Sequence, residues 1–140
     1  MSDKILSVII PSYNSKAYLN KCLDSLVVPD LMDKIDVIVV NDGSTDGSET
    51  ICDEYISRYP DSFTLINKEN GGHGSAINAG AAVARGRYMK ALDADDWFLT
   101  ESIPQYIEAL EKTDADVVLT CHHTINITTG EIKNWRCFPD

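Results

Sequence analysis

Two runs constrain this chain most: Ile5-Leu6-Ser7-Val8-Ile9-Ile10 and Ile35-Asp36-Val37-Ile38-Val39-Val40. Both are rich in β-branched residues, and neither alternates cleanly between apolar and polar. A strand with one wet face must alternate. A nearly continuous apolar strand is covered on both faces, as in a parallel sheet.

What separates the runs fits that sheet. Leu19, Cys22, Leu23 and Leu26 recur at helical spacing, as do Ile51, Cys52, Tyr55 and Ile56. Further strands are predicted over Phe63–Ile66, Tyr88–Leu92 and Val117–Cys121. A small-residue helix is expected over Ser75–Ala84, with Gly86 as its stop, and another carries Ile103, Ile107 and Leu110 on one face. Pro11 is expected to end the first strand, and Asn14 or Ser15 to cap the helix after it. Asp46 with Glu49 reads as a capping box and Thr100 as a helix cap. Ile125 to Ile132 reads as a hairpin turning at Thr129-Gly130. Strands alternating with helices predict an α/β fold: a three-layer αβα sandwich around a mostly parallel, Rossmann-like sheet. The 140 residues suit one domain, 1–140, able to bury roughly two-thirds of its unfolded surface.

In such sheets ligands bind at the carboxyl ends of the strands. Three polar loops fall there: Ser12-Tyr13-Asn14, Asn41-Asp42-Gly43-Ser44 and Asp93-Ala94-Asp95. In an extended segment, side chains two apart point the same way, so Asp93 and Asp95 can converge on one cation. Hard oxygen ligands of this kind suit Mg²⁺ or Mn²⁺. The alternative is an Asp-rich turn that caps the following helix.

Several classes are excluded. A net charge of −10 opposes binding a polyanion, so nucleic acid is a poor partner. Pro11-Ser12-Tyr13-Asn14 is no dinucleotide-binding glycine turn, and Gly71-Gly72-His73-Gly74-Ser75 lacks the lysine of a phosphate-binding loop. Cys22, Cys52, Cys121 and Cys137 are widely spaced, and His122-His123 has no second metal-ligand cluster, so both histidines read as ordinary strand residues. No secretory leader or membrane span is expected, and reduced thiols fit a cytoplasm.

Four stretches then carry a resemblance. They are Ser7-Val8-Ile9-Ile10-Pro11-Ser12-Tyr13-Asn14, Val39-Val40-Asn41-Asp42-Gly43-Ser44-Thr45-Asp46-Gly47-Ser48, Asn70-Gly71-Gly72 with Ala76, Asn78 and Gly80, and Leu92-Asp93-Ala94-Asp95-Asp96-Trp97. In this order, over nearly the whole chain, they resemble family-2 glycosyltransferases of the GT-A fold. The resemblance implies transfer of a sugar, with inversion, from a nucleotide-diphosphate donor, usually UDP-linked, to a saccharide or lipid-linked acceptor. It implies that the loop of Pro11, Tyr13 and Asn14 contacts the base, with Tyr13 packed on the uracil face, and that Asp42 accepts from the base N3–H. Asp93 would touch the ribose or the metal, and Asp95 would hold the metal, Mn²⁺ or Mg²⁺, against the diphosphate. Lys68 or His73 would reach a phosphate or the donor sugar. The arginine common before the motif asparagine is Ile77 here.

In the family, the general base lies well beyond the acidic cluster, and Asp116, Glu131 and Asp140 have no motif around them. The chain is therefore expected to be the donor-binding portion of a longer, membrane-peripheral enzyme, with an exposed edge that favours self-association. The rivals are a non-catalytic nucleotide-sugar-binding module and a nucleotidyltransferase of similar fold.

Overall fold

The computed structural model describes residues 3–135. Four strands, β1 (Leu6–Ser12), β2 (Ile35–Asp42), β3 (Phe63–Lys68) and β4 (Tyr88–Ala91), form one parallel sheet in the order β3-β2-β1-β4. Register is continuous along its centre, from Leu6 opposite Ile35 to Ser12 opposite Asn41. Four α-helices, α1 (Leu19–Asp24), α2 (Cys52–Arg58), α3 (His73–Ala81) and α4 (Ile103–Lys112), cover it.

Alternation along β1 sorts its side chains between two cores. Leu6, Val8 and Ile10 pack with Leu19 and Leu23 of α1, Tyr55 of α2 and Ile107 of α4. Ile9 packs on the opposite face with Ile38, Val40 and Ala76 of α3. This is the expected three-layer sandwich, and each aliphatic side chain buried so completely contributes about 1.5–3 kcal/mol. Gly80 explains the small-residue pattern of α3: a Cβ there would lie 2.5 Å from Ile9 Cγ2.

The structure corrects six local expectations. Pro11 does not end β1, because it pairs with Val40 and the strand runs on to Ser12. The Ile9 carbonyl accepts from Leu92 N, so residues 9 and 11 face the β4 side, and β4 has ended by Ala91. A proline there removes no ladder hydrogen bond. Asn14 and Ser15 do not cap α1 through their side chains, and the Asp46–Glu49 capping box does not form. Thr100 opens a 3₁₀ turn, and its hydroxyl donates to the Ser25 carbonyl. Gly86 is not a helix stop. It lies against β1, where a Cβ would fall 2.4 Å from Ser7 N.

The sixth correction is the strand predicted over Val117–Cys121. No ladder forms there, and Val117 and Leu119 are 73% and 61% exposed. That segment touches β4 through side chains, such as Lys90 Nζ to Thr120 Oγ1, without backbone pairing. Apolar patterning makes a strand only where a neighbouring edge offers its hydrogen bonds. The hairpin does form, as β5 (His122–Ile125) and β6 (Ile132–Trp135), with Gly130 at φ 73° in its turn. His122 and His123 are strand residues, as expected. Cys22, Cys52 and Cys121 are free thiols, while Cys137 and Asp140 lie outside the described residues. Among the described residues, no helix is long and apolar enough to cross a membrane.

Candidate active site

The chain leaves β1 for β2 and β3 on one side, then returns to β4 on the other. That reversal beside β1 opens a crevice at the strands' carboxyl ends. A cleft of about 410 Å³ lies there. Of the eight residues predicted to bind the donor, Pro11, Tyr13, Asn14, Asp42, His73, Asp93 and Asp95 line it. Lys68 does not.

The wall after β1 is held by cross-loop hydrogen bonds. Asn14 adopts φ 50°. Its Oδ1 accepts from Thr45 N at 2.8 Å, and its own N–H donates to Ser44 Oγ at 3.0 Å. Lys16 N donates to Asp46 Oδ2 at 3.0 Å. The side chains read as helix caps therefore tie one loop to the next. The same tie leaves Tyr13 standing 55% exposed at the cleft.

Asp42 is buried, and its carboxylate is well occupied. Oδ1 accepts from Lys68 Nζ at 2.8 Å and Gly71 N at 2.9 Å, and Oδ2 accepts from Gly72 N at 2.8 Å. The Lys68 ammonium, followed by the Gly71 amide, holds this carboxyl below its usual range. Gly72, at φ 89°, then starts α3 without a side-chain cap. The first turn of that helix brings His73 Nε2 to 3.5 Å from Asp93 Oδ1.

Asp93 and Asp95 converge, but not by strand alternation. β4 ends at Ala91, and Asp96 N donates to the Asp93 carbonyl at 3.0 Å, closing a turn. The turn gathers Asp96 as well, so that one oxygen from each of Asp93, Asp95 and Asp96 lies within 4.8 Å of the others. All three are exposed. Burial, then the charges of Asp95 and Asp93, pushes the Asp96 carboxyl up. Clustered hard oxygens of this kind fit a divalent cation. Cys22 lies beneath, its thiol 3.8 Å from the Asp93 carbonyl and pushed up to about 12 by burial and by the charges of Asp96, Asp95 and Asp93. Trp97 packs under the Lys21 ammonium, 3.5 Å from its ring centroid.

Sequence reasoning missed Tyr18 and Asn70, which also line the cleft. Nothing in the pattern marks Tyr18. Asn70 stands in the Asn70-Gly71-Gly72 stretch, which carried no assigned role for it; in the structure it packs on Gly43, where a Cβ would fall 3.0 Å from Asn70 N.

The family model described as Glycosyl transferase family 2 matches residues 7–137. The chain belongs to that family. Glycosyltransferase GlyA of Streptococcus pneumoniae is 35% identical over 130 residues, which is 93% of this chain and 18% of that protein. S. aureus TarS 1–349, solved in complex with UDP-GlcNAc, superposes with a TM-score of 0.68 at 29% identity over 77% of this chain and 31% of that one. Mannosyltransferase PcManGT from Pyrobaculum calidifontis, solved with GDP-Man and Mn2+, gives 0.66 at 27% identity over 81% of this chain and 33% of that one. The parallel sheet with helices on both faces is thus the GT-A arrangement. The chain spans a third or less of each of these proteins.

Proposed function

We propose that this chain is the donor-binding part of an enzyme that takes a nucleoside-diphosphate sugar, UDP-linked in our reading. The enzyme transfers the sugar, with inversion, to a saccharide or lipid-linked acceptor in polysaccharide or cell-envelope glycan synthesis. One observation carries the reading: a single cleft joins an exposed aromatic, Tyr13, a buried carboxylate, Asp42, and two converging carboxylates, Asp93 and Asp95. TarS solved with UDP-GlcNAc, and PcManGT solved with GDP-Man and Mn2+, support it. The share of its relatives that the chain spans supports placing the acceptor-binding part outside these residues. We place the reaction in the cytoplasm, where thiols such as Cys121 stay reduced.

Each residue has a role in this reading. Tyr13 stacks on the base, an interaction commonly worth about 1–3 kcal/mol. A carboxylate offers roughly four acceptor positions, and Asp42 already fills three of them internally. The remaining position, on Oδ2, suits one N–H of the base. Asp93 and Asp95 would hold Mn²⁺ or Mg²⁺. A cation held there would supply charge neutralisation for the departing diphosphate. His73, on the opposite wall, keeps Asp93 oriented toward the cleft and stands within reach of the donor.

Titration calorimetry with UDP tests the reading. Binding is expected with Mn²⁺ and at least about tenfold weaker in its absence, a difference of about 1.4 kcal/mol. Equal affinity in both conditions would remove the metal role of Asp93 and Asp95, and no binding in either would remove the donor site.

A further inference from the structure

Lys68 is the predicted donor-binding residue that the structure sets apart. It stands directly opposite Asp42 in the β2–β3 register. Its ammonium donates to Asp42 Oδ1 at 2.8 Å and to its neighbour's carbonyl, on Glu69, at 2.7 Å. Its side chain is 22% exposed and that of Asp42 6%. Among the described residues, Lys68 is the charged group within ion-pair distance of Asp42.

The loop above has the shape this arrangement needs. A Cβ on Gly71 would fall 2.9 Å from Lys68 Nζ and 2.6 Å from Ser75 Oγ. Any side chain at 71 would therefore crowd the ammonium beneath it. With that space open, Asp42 Oδ1 takes both the ammonium and the Gly71 amide, and Oδ2 takes the Gly72 amide. Those two amides lead directly into α3 and His73.

We propose that Lys68 is a positioning residue. It clamps the Asp42 carboxylate from behind the cleft and, through it, fixes the Gly71–Gly72 loop and the first turn of α3 in the form the nucleotide meets. Lys68 touches no part of the donor. A buried carboxylate without its cation is costly. Without Lys68, Asp42 takes up a proton at higher pH, and the oxygen that carries it weakens as the acceptor of its glycine amide. The loop loosens, and the base loses its partner.

The ligand arm of the test rests on the donor-site reading above; the ligand-free arm does not. In ligand-free Lys68→Met, the Asp42 carboxyl followed by carbon NMR should titrate at least about one pH unit higher than in the parent. The Gly71 and Gly72 amides should exchange at least about tenfold faster, by local opening. With saturating Mn²⁺, the loss of UDP affinity relative to the parent should deepen as pH falls from about 8 toward 5. Mn²⁺ affinity alone should stay within about twofold. Lys68→Arg should restore both arms. Should Lys68→Met fail to fold, Gly71→Ala crowds the ammonium and should give the same signature. An unchanged Asp42 titration with unchanged amide exchange overturns the proposal. So does a loss of UDP affinity that is equal at both pH values and shared by Mn²⁺. If the parent chain itself binds no UDP, the donor-site reading fails, while the ligand-free arm still decides the role of Lys68.

Discussion

The two ends of the central sheet handle charge in opposite ways. At the amino end, Asp36 is 1% exposed and fully engaged. Its Oδ2 accepts from Ser7 Oγ at 2.8 Å and Arg85 N at 3.0 Å, and its Oδ1 from Arg85 Nη2 at 2.6 Å. Nearby, Lys4 is buried and donates to the Met32 and Ile35 carbonyls and to Ser62 Oγ. Burial, then the Arg85 charge, pulls the Lys4 ammonium below its usual range. At the carboxyl end, Asp93, Asp95 and Asp96 stand exposed within 4.8 Å of one another. His73 Nε2 lies 3.5 Å from Asp93 Oδ1, and the His122 ring acts on Asp96. Each charge at the amino end is met from within the chain, as stability requires of buried charge. The like charges at the other end repel one another, which suits a site completed by a ligand.

If that contrast is right, the largest stability loss comes from the amino end. Arg85→Met leaves Asp36 buried without its cation, and breaking this pair costs about 3 kcal/mol, the low end for buried pairs because the guanidinium is 40% exposed. Urea unfolding measures it, and a loss below about 1 kcal/mol, the range of surface pairs, would mean that this end is no closed network. Glycines sharpen the same comparison. Gly86→Ala at the amino end drives a Cβ into the backbone at Ser7 and Leu6, and overpacking of that kind costs about 1–3 kcal/mol. Gly74→Ala, in the first turn of α3, meets nothing within 4 Å. It should stabilise by up to about 1 kcal/mol through helix propensity. Equal effects at the two positions would erase the distinction.

These differences were unevenly legible in the sequence. The apolar runs of β1 and β2 pointed to a covered sheet, and the helices between them made it a parallel one. The carboxyl rim was legible for the same reason, since polar residues in an apolar sheet collect where the chain leaves it. The amino-end network was not: Asp36 and Arg85 are 49 positions apart, and only the fold brings them together. Local rules misled wherever a distant partner won. Asn14 and Asp46 had the makings of caps, yet their oxygens were taken by Thr45 and Lys16 across the loops. Val117 and Leu119 had a strand's pattern and, among the described residues, no ladder to join. Asp93 and Asp95 converged as expected, but through a turn that also brought in Asp96.

The smallest expected stability change is the one that best defines the carboxyl end. Asp95→Asn removes one of three clustered like charges, and without a cation that loss relieves repulsion. In chelator, urea unfolding should therefore change by no more than about 0.5 kcal/mol, the range of surface substitutions, in either direction. In Mn²⁺ at a hundred times its dissociation constant, the parent should gain about 2.7 kcal/mol, whereas the variant should gain little. The two measurements separate a structural carboxylate from a ligand-binding one, because only the latter is neutral without metal and decisive with it. A loss in chelator above about 1.5 kcal/mol would mean that the cluster stabilises the fold through hydrogen bonds. The two ends of the sheet would then follow the same rule.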